Sequence, residues 1–292
     1  MRAMADSTMS KHGRRPWNIA RLRPWVQAGF LAVWLDPLLL RWHSVPGCVF
    51  HCYACPLATV ACPIGLMAHF AALQIIPLAV IGVLVLVGAL VGTAVCGWAC
   101  PFGFLQDLLA KIPTPKFQLP NWMGYGRYLT LIGLVILVPL MLGDKHWAFF
   151  CSVCPAGAIE GALGQSIYRG QLFMPNAIKL TVTIGVVGLA LFTYRPWCRV
   201  LCPLGGIFAL FNRSSLLFLR FHGSECTECN LCRSRCDYGV KIDESINNSA
   251  CVRCFECTGC SAIRIDVAGR GRKRASTKPM HETGGQSDAG VQ

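Results

Sequence analysis

Four stretches of the chain are nearly free of charge and apolar on all sides, with no amphipathic period. Residues 70–95 run for 26 positions without a charged side chain, and residues 177–194 carry a single one, Lys179. Residues 128–143 are shorter and framed by Arg127 and Asp144, and residues 25–40 are interrupted by Asp36 and Pro37. A bilayer core takes roughly 17–25 apolar residues per helix, so the pattern predicts an all-α transmembrane bundle of four helices. Residues 25–40 also suit a signal peptide or an interfacial helix, but no small-residue cleavage site follows them.

The charges between these runs give the spans a direction. The 292-residue chain is 54% hydrophobic and 14% charged, with a formal net charge of +13, against about 25% charged residues in soluble domains. Of its 27 Lys and Arg, 23 fall before the first run, between the second and third, or after the fourth. Arg41, Lys145, Arg169 and Lys179 are left for the other side. The positive-inside rule then places both termini in the cytoplasm of a multi-pass bacterial inner-membrane protein. This distribution excludes a nucleic-acid partner, which would need the basic residues gathered on one soluble surface. The predicted organisation is a basic cytoplasmic N-terminus (1–23), a four-helix membrane domain (24–220), a cysteine-rich unit (221–266) and a disordered tail (267–292) rich in Gly, Arg, Lys and Ser.

The membrane region repeats. Cys96-Gly-Trp-Ala-Cys100-Pro101 and Cys198-Arg-Val-Leu-Cys202-Pro203 each follow an apolar run on the inner side. Cys52-Tyr-Ala-Cys55-Pro56 and Cys151-Ser-Val-Cys154-Pro155 form a second pair on the outer side, at a similar offset. Two parallel span–loop–span units related by an axis along the membrane normal would gather Cys96, Cys100, Cys198 and Cys202 at the inner face. The same axis would gather Cys52, Cys55, Cys151 and Cys154 at the outer face. Four converging thiolates suit an iron–sulfur cluster or a tetrahedral zinc; at the outer face disulfides are the alternative. Cys48 and Cys62 have no repeat partner and stay unassigned. His43, His51, His69 and His146 read as interface residues.

The cysteine-rich unit has the spacing Cys226-x2-Cys229-x2-Cys232-x3-Cys236, then Cys251-x2-Cys254-x2-Cys257-x2-Cys260. The first quartet has the bacterial ferredoxin spacing, in which the fourth cysteine ligates the other cluster. Two [4Fe–4S] clusters are therefore expected in a small α+β ferredoxin-like fold. One would be held by Cys226, Cys229, Cys232 and Cys260, the other by Cys251, Cys254, Cys257 and Cys236. Asp237 replaces the usual proline, and the last step has two intervening residues where three are expected, so the turn delivering Cys260 must differ.

Four spans, two inner C-x3-C-P motifs and a C-terminal pair of ferredoxin quartets resemble the membrane 4Fe–4S ferredoxin family of NapH, MauN and the membrane half of NosR. The resemblance covers roughly residues 20–265. It implies an iron–sulfur electron-transfer subunit of an oxidoreductase, passing electrons between the quinol pool or a membrane-side donor and another redox protein. Further clusters at the four-cysteine membrane sets would complete a path across the lipid. Quinol is expected at a span–loop junction, near Trp98 or residues 104–112. Two rival functions fit the thiols as well: a copper or iron reductase or assembly protein, and a redox-sensing regulatory ferredoxin. Asp36 and Asp107 are single acids at membrane boundaries, expected to be structural, with proton acceptance as the alternative.

Overall fold

The computed structural model describes residues 19–40, 62–159, 176–226 and 231–268. Cys48, Cys52, Cys55, Cys229, His43, His51 and the tail from 269 onward lie outside the described residues.

The described chain is mostly helical. A short 3-10 turn (Ile19–Leu22) leads into α1 (Arg23–Leu40). The expected single span over 70–95 is instead two helices, α2 (Pro63–Ala72) and α3 (Leu78–Val91), followed by the short α4 (Ala94–Trp98). The break has a local cause: Gln74 adopts a left-handed conformation (φ 58°), and Pro77 caps α3, where its ring forbids continuation of the preceding turn. At 14 residues, α3 is about 21 Å long, short of the roughly 30 Å hydrocarbon core.

The third predicted run is longer than expected. Its helix, α6 (Asn121–Leu142), follows α5 (Pro101–Leu109) and spans 22 residues, with a mean hydropathy of 1.8 over an 18-residue window. Among the described residues it is the one helix long and apolar enough to cross a membrane. The start is displaced to Asn121 because a 3-10 turn (Asn121–Tyr125) runs directly into the helical stretch. Its middle (Leu131–Leu137) relaxes into π geometry ahead of Pro139, and Gly143 ends it at φ +75°. After α7 (Phe150–Val153) come α8 (Ala177–Phe192) and, beyond a π turn (Trp197–Leu201), α9 (Pro203–Leu210).

The cysteine-rich unit is closed by two strands, β1 (Leu217–Phe221) and β2 (Ile263–Val267), paired antiparallel with Leu219 opposite Ile265. Between them lie α10 (Leu231–Arg235) and α11 (Ile242–Ser245). This α+β unit shares one apolar cluster with the helical part: Leu219, Val240, Ile246, Val252, Phe255 and Ile263 pack with Val80, Leu84, Ala94 and Phe208. A second cluster, around Ile64, Phe102, Val135, Phe149, Val186 and Trp197, fills the helical part alone.

Candidate functional site

The two inner motifs have the same local build. Cys100 and Cys202 cap α5 and α9 with nearly identical backbones (φ −74°, ψ 117° and φ −70°, ψ 113°), and each is followed by proline as the first helical residue. Proline suits that position because its missing N–H would be unpaired there anyway. Two residues on, Gly103 and Gly205 let the turn close: a Cβ there would lie 3.1 and 2.7 Å from the carbonyl oxygens of Cys96 and Cys198. The helix start thus presents N–H groups and a positive dipole end beside the thiols, which favours sulfur anions.

The four inner thiols lie within electrostatic reach of one another. Cys202 is electrostatically coupled to Cys198, Cys96 and Cys100, and burial together with these neighbours pushes its thiol well above the ordinary range. Cys96 and Cys198 are buried, Cys100 and Cys202 half-buried. The thiols also receive hydrogen bonds: Gln106 Nε2 donates to Cys198 Sγ at 3.3 Å, and the Gly103 N–H to Cys100 Sγ at 3.4 Å.

Beneath them lies an ionic knot that the sequence did not reveal. Arg195 is fully buried; its Nε donates to Asp107 Oδ1 at 2.7 Å and its Nη2 pairs with Oδ2. Arg23 pairs with the same oxygen, Gln27 donates to it at 3.1 Å, and Arg23 and Gln27 both donate to the Gly97 carbonyl, at 3.0 and 2.9 Å. Burial would raise the Asp107 pKa, but Arg195, Arg23 and Gln27 outweigh it and hold the carboxyl below its usual range. Asp107 is thus a structural anion and a poor proton acceptor near neutrality.

In the ferredoxin-like unit, Cys236, Cys251, Cys254 and Cys257 line one small cavity. Cys257 is coupled to Cys254, Cys251 and Cys236, and burial pushes its thiol well up; burial likewise brings Cys254 to about 12. The loop carrying them places Arg253 (φ 52°) and Phe255 (φ 61°) in the left-handed region, strain of the kind concentrated at functional sites. One consequence is an N–H bond from Arg253 to Cys251 Sγ at 3.4 Å. Cys226, Cys232 and Cys260 are half-buried, and Cys260 follows a 3-10 turn (Glu256–Gly259) in extended backbone.

The inner motifs sit directly on this loop. Trp98 Nε1 donates to the Arg253 carbonyl at 3.0 Å, and its ring lies 5.6 Å from that of Phe255. Thr93 Oγ1 and Asn212 Nδ2 both reach the Cys251 carbonyl, at 2.8 and 2.9 Å. Arg253 is buried and donates to the carbonyls of Val91 (2.9 Å), Leu217 (2.6 Å) and Asn212 (2.6 Å).

The donor sets fit iron–sulfur clusters. Each quartet is thiol only, and among the described residues no three Cys, His, Asp or Glu side chains could hold a single metal ion. A tetrahedral zinc would need its sulfurs within about 2.3 Å of one centre. Buried arginines beside both quartets would offset the negative charge of thiolate-bound clusters.

Beside Asp107 a cavity of about 610 Å³ opens between α1, α5 and the ferredoxin-like unit, with Phe104, Leu108, Ile112, Tyr194 and Tyr238 among its lining residues. The expected docking stretch 104–112 lines it. Trp98 does not; its N–H is committed to Arg253.

A family described as a 4Fe-4S binding domain matches residues 73–120 and 177–222, one C-x3-C-P motif in each segment. The chain is 30% identical over 204 residues to an uncharacterised protein of Methanocaldococcus jannaschii, covering 66% of this chain and 79% of that protein. It is 30% identical over 168 residues to the regulatory protein NosR of Pseudomonas aeruginosa (56% and 22% covered). Against the methylamine utilization ferredoxin-type protein MauN of Methylorubrum extorquens it is 27% identical over 190 residues (62% and 56% covered). No solved structure matches the chain. The match in two segments, together with the relatives, supports an iron–sulfur electron-transfer role. With two C-x3-C-P motifs and these relatives, the chain belongs to the membrane ferredoxin-type 4Fe–4S family that includes MauN and NosR.

Proposed function

We propose that the chain passes electrons between quinol bound at the inner membrane face and another redox protein, through iron–sulfur clusters held by its cysteine quartets. The observation that carries this reading is the seat of residues 93–98 on residues 251–255, which joins the loops of two thiol quartets through direct hydrogen bonds and shared apolar packing. Cys96, Cys100, Cys198 and Cys202 would hold one cluster, and Cys236, Cys251, Cys254 and Cys257 a second. Cys226, Cys229, Cys232 and Cys260 would hold the third. When bound, such clusters supply one-electron redox chemistry at potentials set by hydrogen bonds, charge and exposure.

The chain's own residues supply the rest. Gln106, Gly103 and Arg253 donate hydrogen bonds to ligand sulfurs, and Trp98 and Phe255 exclude water from the junction. The Asp107–Arg195–Arg23 knot fixes both the Cys96 loop and one wall of the 610 Å³ cavity. That cavity suits a quinol head group, with Phe104, Leu108 and Tyr238 among its lining side chains. Membrane residence is supported by α6 and by apolar side chains left exposed along α3, α6 and α8, among them Leu86, Leu129, Met141, Ile184 and Leu189. Exposed apolar surface of this extent marks a lipid or protein interface.

The test is anaerobic reduction of the purified protein's clusters by a short-chain quinol, followed by bleaching of the visible iron–sulfur absorbance. Bleaching in the wild type, lost when Leu108→Trp fills the cavity, is the expected result. Clusters that dithionite reduces but quinol does not would refute quinol as donor.

A further inference from the structure

We propose that Cys62, Cys151 and Cys154 form a further thiolate site, and that Cys62, not the Cys52/Cys55 pair, is the first repeat's contribution to it. This rests on the reading that the chain's thiol sets hold iron–sulfur clusters, and extends it to a set with a different membership from the one the repeat suggests.

The first argument is convergence. A Cβ on Gly65 would lie 3.2 Å from Cys62 Sγ and 3.4 Å from Cys151 Sγ. The two sulfurs, 89 positions apart, therefore meet over the bare face of one glycine. Any larger residue at 65 would intrude on both.

The second argument is local build. Cys62-Pro63-Ile64-Gly65 and Cys154-Pro155-Ala156-Gly157 repeat the pattern of Cys100-Pro101-Phe102-Gly103 and Cys202-Pro203-Leu204-Gly205. Cys55-Pro56-Leu57-Ala58 lacks the glycine. Cys154 has the same backbone as Cys100, φ −74° and ψ 117°. Cys62 stands before the ten-residue α2 just as Cys100 and Cys202 stand before α5 and α9, with proline first and the Leu66 N–H donating to the Cys62 carbonyl at 3.1 Å. All four cysteines share the Cys-Pro-x-Gly sequence, and Cys100, Cys154 and Cys202 share one backbone conformation, from which Cys62 departs (φ −141°, ψ 76°).

The third argument is chemical surroundings. Cys151 and Cys154 pack on the same apolar cluster as Cys100, Cys198 and Cys202, and Cys62 stands at the exposed edge of the site. The Lys179 ammonium lies 3.4 Å from where a Gly157 Cβ would be, placing a cation beside the Cys154 turn. A thiol set with a cation at its edge suits an anionic iron–sulfur cluster.

The experiment uses the full chain purified anaerobically in detergent, with iron, acid-labile sulfide and the EPR spectrum of the reduced protein measured for Cys62→Ser, Cys151→Ser and Cys52→Ser. The expected result is loss of the same signal and of about four iron atoms in the first two variants and no loss in the third. Wild-type iron in Cys62→Ser, with the ferredoxin signals intact, overturns this proposal and leaves the wider reading standing. Absence of iron from the ferredoxin cysteines overturns both. Should the variants not fold, alkylation of the wild type decides. Cys62 and Cys151 protected until an iron chelator is added supports the site; labelling that ignores the chelator, or a Cys62–Cys151 disulfide, overturns it.

Discussion

The Trp98 indole donates to the Arg253 carbonyl at 3.0 Å across 155 positions of sequence, joining the loop between Cys96 and Cys100 to the loop between Cys251 and Cys254. Immediately before it, Gly97 lies so close that a Cβ there would sit 2.6 Å from the Val252 carbonyl oxygen. Two backbones meet at this point, and neither has a flexible side chain that could yield.

Gly97→Ala should therefore push the two loops apart. The expected cost is about 1–3 kcal/mol, as for other overpacked interiors, together with slower electron passage into the ferredoxin-like unit. Stopped-flow reduction of the clusters checks the second effect; an unchanged rate would show that the contact is irrelevant to transfer.

Arg253→Lys keeps the charge but cannot reach the three carbonyls of Val91, Leu217 and Asn212 together. Loss of these charge-assisted bonds should cost about 2–4 kcal/mol and loosen the ferredoxin-like unit from α3. Limited proteolysis between α9 and β1 measures this, with cleavage expected to be faster in the variant.

Asp107→Asn removes the anion that two arginines share. Leaving Arg195 buried and unpaired should cost about 3–5 kcal/mol. The pH dependence has a definite sign. The carboxyl pKa is lowered in the folded protein, so its contribution is complete above the ordinary carboxylate value. It is lost as pH falls below that value through the folded one. Thermal unfolding from pH 7 down to about pH 3 should show this acid loss in the wild type and lack it in the Asn variant.

Cys236→Ser and Cys257→Ser should abolish the same EPR component, although 236 belongs to the first quartet and 257 to the second. Cys260→Ser should abolish a different one. If Cys236→Ser instead groups with Cys226→Ser, the crossed assignment is wrong.

How much of this was legible in the sequence follows from the range of each signal. The Cys-Pro caps, the repeat of Cys96/Cys100 in Cys198/Cys202, and the ferredoxin spacing are local patterns, and the structure shows matching turns at both inner motifs. The break at Gln74 was written only in Pro77, a residue that membrane helices tolerate, so an uncharged run of 26 residues looked like one span. Arg195 and Arg253 could not be told from surface charges: their partners lie 88 and up to 162 positions away, and each counted simply as a positive charge on the inner side. Cys62 has no partner when the repeat is aligned on C-x2-C spacing; the glycine three residues after each Cys-Pro cysteine is the pattern that groups it with Cys100, Cys154 and Cys202.

The most direct measurement is iron and acid-labile sulfide in the wild type beside a Cys96→Ser, Cys198→Ser double variant, both purified anaerobically. Loss of about four iron atoms and one EPR component, with the ferredoxin signals retained, is the expected result. Equal iron in the two proteins would mean that the inner thiols hold no cluster, and the proposed path from membrane to ferredoxin-like unit would lack its first carrier.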